Sequence, residues 1–140
     1  MTGKKKVLFI DDESTTESTI RRLTIVHKLH VDWAKSPSEG LRLLKKNKYS
    51  TVILDIMMPI DDDTLKHSEV LNEYGLETGI ILLKLIMKDS ELFNSLRVVF
   101  CSAREDNIAL KHGLEEGVQY EKYFRKPYNT EELYNILKKS

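Results

Sequence analysis

The sequence predicts an α/β fold in which one doubly wound sheet of five parallel strands, in the order 2-1-3-4-5, has helices on both faces. Short apolar segments alternate along the 140 residues with longer segments in which apolar residues recur at helical spacing. Such strict alternation is typical of parallel sheets, whose crossover connections are right-handed. One reversal of direction gives the predicted order and places the switch point between the first and third strands.

Five short apolar runs are the predicted strands. The third run is continuous, as is expected for a strand that is covered on both faces. The predicted strands are residues 6–10, 31–35, 51–54, 97–101 and 120–124.

Cap residues and apolar spacing predict the helices. The second helix has the clearest start, because Ser36 suits the N-cap, Pro37 suits the first helical position and Glu39 completes a capping box. Asn47 is the predicted stop of this helix, and Asn129 is the predicted N-cap of the last one. The other predicted helices cover about residues 15–29, 78–87 and 105–116.

Between Pro59 and Thr78 the sequence shows neither the apolar runs of strands nor a clear helical spacing of apolar residues. The segment is polar and contains the charge run Asp61-Asp62-Asp63, and loops of this length are uncommon inside a compact domain. We therefore expect one domain over residues 4–140 with an inserted loop at about residues 60–78. No output domain is expected, because the chain ends directly after the last predicted helix.

Composition argues against several classes of function. The chain carries 22 basic and 22 acidic residues, so we expect no direct nucleic-acid partner and no membrane partner. Its single cysteine, Cys101, excludes an internal disulfide and a zinc site built from several thiolates. The apolar segment near the start is too short for a signal peptide and no long apolar run follows, so a cytoplasmic protein is expected.

Polar residues stand where the predicted strands end. Asp11 and Asp12 follow the first strand, Asp55 the third and Ser102 the fourth, and Lys126 comes soon after the fifth. Ligands bind outside the carboxyl ends of such strands, so these side chains are expected to share one pocket. At an effective dielectric of about 20, two charges ~4 Å apart repel by roughly 4 kcal/mol, so the acids need a cation. Oxygen ligands favour Mg²⁺, or Mn²⁺, over zinc.

A pocket of this composition suits phosphoryl transfer, which depends on positioning and on charge neutralisation. Asp55 would be the nucleophile and form an acyl phosphate, while the cation and Lys126 neutralise the phosphoryl oxygens. Ser102 can donate a hydrogen bond to one of these oxygens. The simpler alternatives are that Asp12 or Glu13 only caps the following helix and that the lysine is solvated.

Four segments carry a family resemblance: residues 7–13 (VLFIDDE), 54–59 (LDIMMP), 98–103 (VVFCSA) and 123–128 (YFRKPY). Together and in this order they resemble the response-regulator receiver domain of two-component signalling, which has a flavodoxin-like fold. The resemblance implies that Asp55 accepts a phosphoryl group from a histidine kinase or a histidine phosphotransfer protein. It also implies that the phosphorylated form signals by changing its contacts with a downstream protein target.

The resemblance assigns roles to individual residues as well. Ser102 would be the switch hydroxyl, Tyr123 the switch aromatic and Lys126 the partner of the phosphate. Such a domain catalyses its own phosphorylation and dephosphorylation without being a turnover enzyme. Four residues would hold Mg²⁺, namely Asp11 through water, and Asp12, Asp55 and the backbone carbonyl of Met57 directly.

Two other functions stay open at this point. A degenerate receiver would act only as an interaction module, although the acids, Ser102 and Lys126 are intact. A haloacid-dehalogenase-like phosphatase also uses an aspartate nucleophile, Mg²⁺ and a lysine, but it requires Asp-x-Asp where this chain has Asp11-Asp12-Glu13. The inserted loop is either a solvated surface segment or a segment that screens Asp55 and contributes to partner choice.

Overall fold

The computed structural model describes residues 6–56, 58, 78–102 and 120–138 of the protein. Its strands are β1 (Lys6–Ile10), β2 (His30–Ala34), β3 (Thr51–Asp55), β4 (Arg97–Ser102) and β5 (Lys122–Arg125). They form one sheet in the order β2-β1-β3-β4-β5, and each neighbouring pair is parallel. The predicted fold class and strand order are confirmed.

Several strand ends differ from the predicted ones by one or two residues. β3 extends through Asp55, which pairs with Cys101, and β4 extends through Ser102, which pairs with Arg125. Two of the predicted site residues therefore end strands and do not follow them. The predicted start of β5 was two residues early, because its ladder with β4 begins at Lys122. β2 lies one residue earlier than predicted.

The helices of the described residues are α1 (Thr16–Ile25), α2 (Pro37–Lys46), α3 (Thr78–Lys88), α4 (Ser90–Asn94) and α5 (Thr130–Leu137), the last of which follows β5. Ser36 caps α2 as predicted, because its Oγ accepts a hydrogen bond from Glu39 N at 3.2 Å, and Asn47 is the C-cap. Asn129 caps α5 by accepting a hydrogen bond from Glu131 N at 2.7 Å. The predicted helix at residues 105–116 and the inserted loop lie outside the described residues.

Two helices depart from the prediction. α1 ends earlier than expected, because Lys28 adopts a φ of 60°, a left-handed conformation that is common at helix ends. Leu29 N then donates to Leu23 O at 3.1 Å, and Leu29 packs against the core from this turn. The short α4 was not predicted, although Asp89 caps it by accepting a hydrogen bond from Leu92 N at 3.3 Å.

Apolar layers cover both faces of the sheet. Successive residues of a strand point to opposite faces, so Leu8 and Ile10 pack with α2 and α3 while Val7 and Phe9 pack with α1 and α5. The buried side chains of Asp11, Asp55 and Ser102 lie at the carboxyl ends of the strands. No helix of the described segments is long and apolar enough to cross a bilayer.

Candidate functional site

Asp11 follows β1 and is fixed by three hydrogen bonds. Its N donates to Ala34 O at 3.0 Å, its O accepts from Trp33 Nε1 at 2.8 Å, and its Oδ1 accepts from Glu13 N at 2.9 Å. The side chain is fully buried. The indole of Trp33 therefore helps to position the backbone of Asp11.

Asp55 is the last residue of β3 and is only 1% exposed. The start of α3 lies directly against it. A Cβ at Gly79 would lie 2.6 Å from Asp55 O and 2.7 Å from Ile56 Cα, and Gly79 N donates to Ile56 O at 3.1 Å. Since glycine has no Cβ, it permits this close approach of a helix to a strand end, and Gly79 thereby helps to position Asp55.

Lys126 brings an ammonium group to both buried acids. Its N donates to Ser102 O at 2.6 Å, which anchors the lysine beside the end of β4. Its Nζ lies 2.7 Å from Asp11 Oδ2, 3.0 Å from Glu13 Oε1 and 3.4 Å from Asp55 Oδ2. The shortest contact is an ion pair, since Asp11 Oδ2 accepts no hydrogen bond of regular geometry from the described residues. The structure thus brings Lys126 and Asp55 together.

Glu13 is the residue of the site that sequence analysis missed, since it was considered only as a helix cap. Its side chain is 44% exposed and lies at the rim, whereas the side chains of Asp11 and Asp55 are buried. The available signal was its place at the end of the acidic run that follows β1. Its contact with Lys126 depends on tertiary structure, which no local pattern reveals.

The charges of the site are unbalanced. Burial lowers the pKa of Lys126, but contact with Asp11 and the charge of Asp55 outweigh this and raise it, so the ammonium stays protonated. Partial burial and the charges of Asp11 and Glu13 raise the pKa of Asp12, although a backbone hydrogen bond and Lys126 act in the opposite direction. Among the described residues, the site therefore contains four carboxyl groups and one ammonium group, which contacts three of them.

Asp11, Asp12 and Asp55 are arranged to bind a cation. Each offers one carboxylate oxygen, and these oxygens all lie within 4.8 Å of one another. Hard oxygen donors with an excess of negative charge suit Mg²⁺ or Mn²⁺, so the residues present fit the predicted ion. Met57, whose carbonyl was predicted as a further ligand, lies outside the described residues.

Ser102 and Tyr123 lie on the two strands beside the acids. Ser102 ends β4 and is fully buried, next to Cys101, which pairs with Asp55 across the sheet. Tyr123 pairs with Phe100 and packs, half-buried, against the apolar layer beneath α2 and α3. Burial raises the pKa of the Cys101 thiol, which keeps it protonated in the apolar layer. The switch roles of Ser102 and Tyr123 stay predictions.

Comparison with known proteins decides the family. The family model for the response regulator receiver domain matches residues 7–138. The chain belongs to this family. The receiver domain is 27% identical over 128 residues to the transcriptional regulatory protein DltR of Streptococcus agalactiae, which covers 91% of this chain and 48% of DltR. It is also 32% identical over 54 residues to the autoinducer 2 sensor kinase/phosphatase LuxQ of Vibrio parahaemolyticus, which covers 39% of this chain and 6% of LuxQ.

The receiver domain thus spans at most about half the length of these curated relatives. Solved structures share its fold. The receiver domain of a Francisella response regulator has a TM-score of 0.69 at 28% identity, with 97% of this chain and 98% of that chain covered. The chemotaxis protein CheY4 of Vibrio cholerae has a TM-score of 0.75 at 19% identity, with 98% of each chain covered. The resemblance inferred from sequence is confirmed, and a haloacid-dehalogenase-like phosphatase is not favoured.

Proposed function

We propose that this receiver domain accepts a phosphoryl group on Asp55 from a histidine kinase or a histidine phosphotransfer protein and signals through a change in its protein contacts. One observation carries the proposal. The Asp55 carboxylate lies 3.4 Å from the Lys126 ammonium and shares a cluster of oxygens within 4.8 Å with Asp11 and Asp12. The cluster lies at the carboxyl ends of β1 and β3, where ligands of this fold class bind.

The phosphoryl group would move to Asp55 in one displacement. A carboxylate oxygen of Asp55 bonds to phosphorus while the bond from phosphorus to the donor nitrogen breaks, and the donor imidazole keeps the electron pair. Lys126 offers its ammonium to a phosphoryl oxygen in a site whose burial strengthens the attraction. Asp11, Asp12 and Asp55 would hold Mg²⁺, or Mn²⁺, which supplies further neutralisation of the phosphoryl oxygens when bound.

Ser102 and Tyr123 are the residues through which phosphorylation would alter the surface. The backbone of Ser102 accepts a hydrogen bond from Lys126 N at 2.6 Å, so the two residues are neighbours in the fold. The hydroxyl would donate to a phosphoryl oxygen, and movement there would reach Tyr123 because β4 and β5 are paired. A downstream protein would recognise the rearranged surface.

The receiver domain would extend over residues 4–140 and act in the cytoplasm through protein partners. The equal numbers of acidic and basic residues support partners other than nucleic acid and anionic membranes. Phosphorylation of Asp55 would require a phosphodonor as one partner. The proposed switch of Ser102 and Tyr123 would act on a downstream protein as the other partner. Both partners are inferred from the chemistry of the site and from the family.

Incubation of the purified protein with Mg²⁺ and acetyl phosphate tests the proposal. Intact-mass measurement should show one added phosphoryl group, and Asp55→Asn should show none. Asp89→Asn is the matched control, because Asp89 caps α4 and is not one of the clustered acids, so this variant should gain the group like wild type. No gain by wild type, or an unchanged gain by Asp55→Asn, would contradict the proposal and favour a domain that acts only as an interaction module.

A further inference from the structure

The Lys126 ammonium is shared among three carboxylates. Asp11 and Glu13 are its nearer partners, at 2.7 and 3.0 Å, and Asp55 lies at 3.4 Å. Lys126 Nζ donates to Glu13 Oε1 and Asp55 Oδ2, and it also lies within ion-pair distance of Asp11 Oδ2. A phosphoryl oxygen on Asp55 that pairs with the ammonium group therefore competes with these carboxylates.

The three partners differ in how readily they can leave. Asp11 is fully buried and its other oxygen accepts a hydrogen bond from Glu13 N, so separating it from the lysine would strand a charge away from water. Asp55 is the residue that carries the phosphoryl group. The Glu13 side chain is 44% exposed and can turn into solvent at little cost in hydration. Glu13 is the partner that the geometry allows to leave.

We propose that Glu13 is a displaceable counter-ion of Lys126, a positioning residue whose role rests on the proposed phosphorylation of Asp55. In the unphosphorylated domain Glu13 holds the ammonium at the rim. When the Asp55 oxygen bonds to phosphorus and the leaving group departs with its electron pair, the phosphoryl oxygens bring negative charge beside the lysine. The ammonium then exchanges Glu13 for a phosphoryl oxygen, and the Glu13 carboxylate turns to water.

This exchange makes the ion pair an obstacle to phosphorylation. The Glu13 contact exists before the transfer and is lost after it. The free energy of this contact therefore makes formation of the phosphorylated state less favourable. Partly exposed ion pairs are weak, so loss of the Glu13 charge should accelerate phosphorylation by about twofold to fivefold. It should tighten the binding of beryllium fluoride, a mimic of the phosphoryl group, by a similar factor.

Glu13→Gln tests the inference in the 140-residue protein, with initial rates measured at saturating Mg²⁺ so that altered metal affinity does not contribute. Glu17→Gln is the matched control. It makes the same change of charge on α1, at a side chain that is 62% exposed and pairs with Arg21 at 2.9 Å. We expect Glu13→Gln to be about twofold to fivefold faster than wild type and Glu17→Gln to match wild type.

Glu13→Asp separates contact from charge, because it keeps the negative charge but shortens the reach by one methylene group. If the contact with Lys126 is what matters, Glu13→Asp should follow Glu13→Gln. A Glu13→Asp rate equal to wild type would show that only the charge counts and would overturn the inference, as would a Glu13→Gln rate equal to or below wild type. Absence of phosphorylation in wild type would contradict the proposed function itself. Wild type is therefore measured first, so that this outcome is distinguished from failure of the Glu13 inference.

Discussion

The two ends of the sheet differ in how their carboxylates are paired with donor groups. Near the amino ends of the strands, Tyr49 Oη donates to Asp32 Oδ2 at 2.6 Å. There too, Arg97 Nε donates to Glu121 Oε2 at 3.0 Å and Arg97 Nη2 donates to Ile136 O at 2.8 Å. We call the Tyr49–Asp32 and Arg97–Glu121 contacts the amino-end pairs. Each joins one donor group to one carboxylate, although Arg97 Nη1 is buried without a hydrogen-bond partner in the described part of the chain.

The carboxyl-end cluster consists of Asp11, Asp12, Glu13, Asp55 and Lys126. The cluster contains four carboxyl groups and one ammonium group, which contacts three of them. Two like charges ~4 Å apart repel by roughly 4 kcal/mol at an effective dielectric of about 20. Each amino-end pair joins a carboxylate to a donor group, whereas the carboxyl-end cluster contains more carboxyl groups than ammonium groups and could hold a cation. The carboxyl end therefore retains like-charge repulsion that the amino-end pairs avoid, and an excess of one charge is common at functional sites.

Replacing one basic side chain at each end of the sheet should give the largest difference in the free energy of unfolding. Lys126→Met leaves the buried Asp11 and Asp55 without their ammonium partner and should lower the free energy of unfolding of the metal-free protein by about 3 kcal/mol. Mg²⁺ should restore much of this loss, because the ion can compensate the same carboxylates. Arg97→Met should cost less, about 1 kcal/mol, with no restoration by Mg²⁺.

Urea titrations of both variants, with and without Mg²⁺, measure these changes in the free energy of unfolding. Wild-type protein under the same conditions gives the stabilisation that metal binding supplies when the lysine is present. An equal response of Lys126→Met and Arg97→Met to Mg²⁺ would show that the two ends do not differ in their demand for a cation.

The contact of α3 with the end of β3 should give the next largest effect. Gly79→Ala places a Cβ 2.6 Å from Asp55 O and against the Ile56 backbone, so it should destabilise the protein by about 2 kcal/mol and slow phosphorylation by displacing Asp55. Gly40→Ala is the comparison, because a Cβ at Gly40 would meet only side-chain atoms, with Ile10 Cδ1 at 2.3 Å, whereas a Cβ at Gly79 would meet the backbone beside Asp55. Thermal unfolding and rates with acetyl phosphate measure both. Equal losses in the two variants would show that the approach of α3 to the Asp55 backbone is not special.

Loss of an amino-end pair should lower stability without changing the rate of phosphorylation. Tyr49→Phe removes the hydrogen bond to Asp32 and should lower the free energy of unfolding by about 1 kcal/mol. Burial, followed by the contact with Asp32, raises the pKa of Tyr49, so the phenol remains a donor over the ordinary pH range. The rate of phosphorylation at saturating Mg²⁺ should equal that of wild type. A changed rate would show that the two ends of the sheet are coupled.

The carboxyl-end cluster was mostly predictable because its members stand at the ends of apolar runs. Asp11, Asp12 and Asp55 are placed by local pattern, and parallel topology alone then brings the strand ends together. The contact between Glu13 and Lys126 joins residues 113 positions apart and depends on where a long side chain ends. The three aspartates and the lysine could therefore be predicted from sequence, but the contact of Glu13 with the lysine could not.

The amino-end pairs were not predicted, because they depend on register and not on strand identity. Tyr49 reaches Asp32 only once β2 and β3 are both aligned on β1. Helix ends raise a similar difficulty, since the left-handed Lys28 carries no glycine or asparagine signal. Apolar periodicity fixes which elements form and in what order, while individual polar contacts require the packed structure.

The contacts of Glu131 with Arg22 and His27 at the surface should contribute less than either end of the sheet. Glu131 Oε1 lies 3.1 Å from His27 Nε2 and 3.3 Å from Arg22 Nε, and the bond with His27, followed by that with Arg22, lowers the pKa of Glu131. A lowered folded-state pKa stabilises the protein above the ordinary glutamate pKa, and this contribution is lost as the pH falls through the lowered value. Glu131→Gln should therefore show a slightly smaller loss of stability between about pH 5 and about pH 3.

Glu132→Gln makes the same change at the adjacent exposed residue and should keep the acid sensitivity of wild type. Urea titrations at a series of pH values compare the three proteins. The expected difference is small because exposed ion pairs lose side-chain entropy and are screened by salt. If both variants follow the same pH dependence, the contacts of Glu131 contribute nothing measurable. The stabilising polar contacts would then be concentrated in the amino-end pairs, which would sharpen the contrast with the charge-rich opposite end.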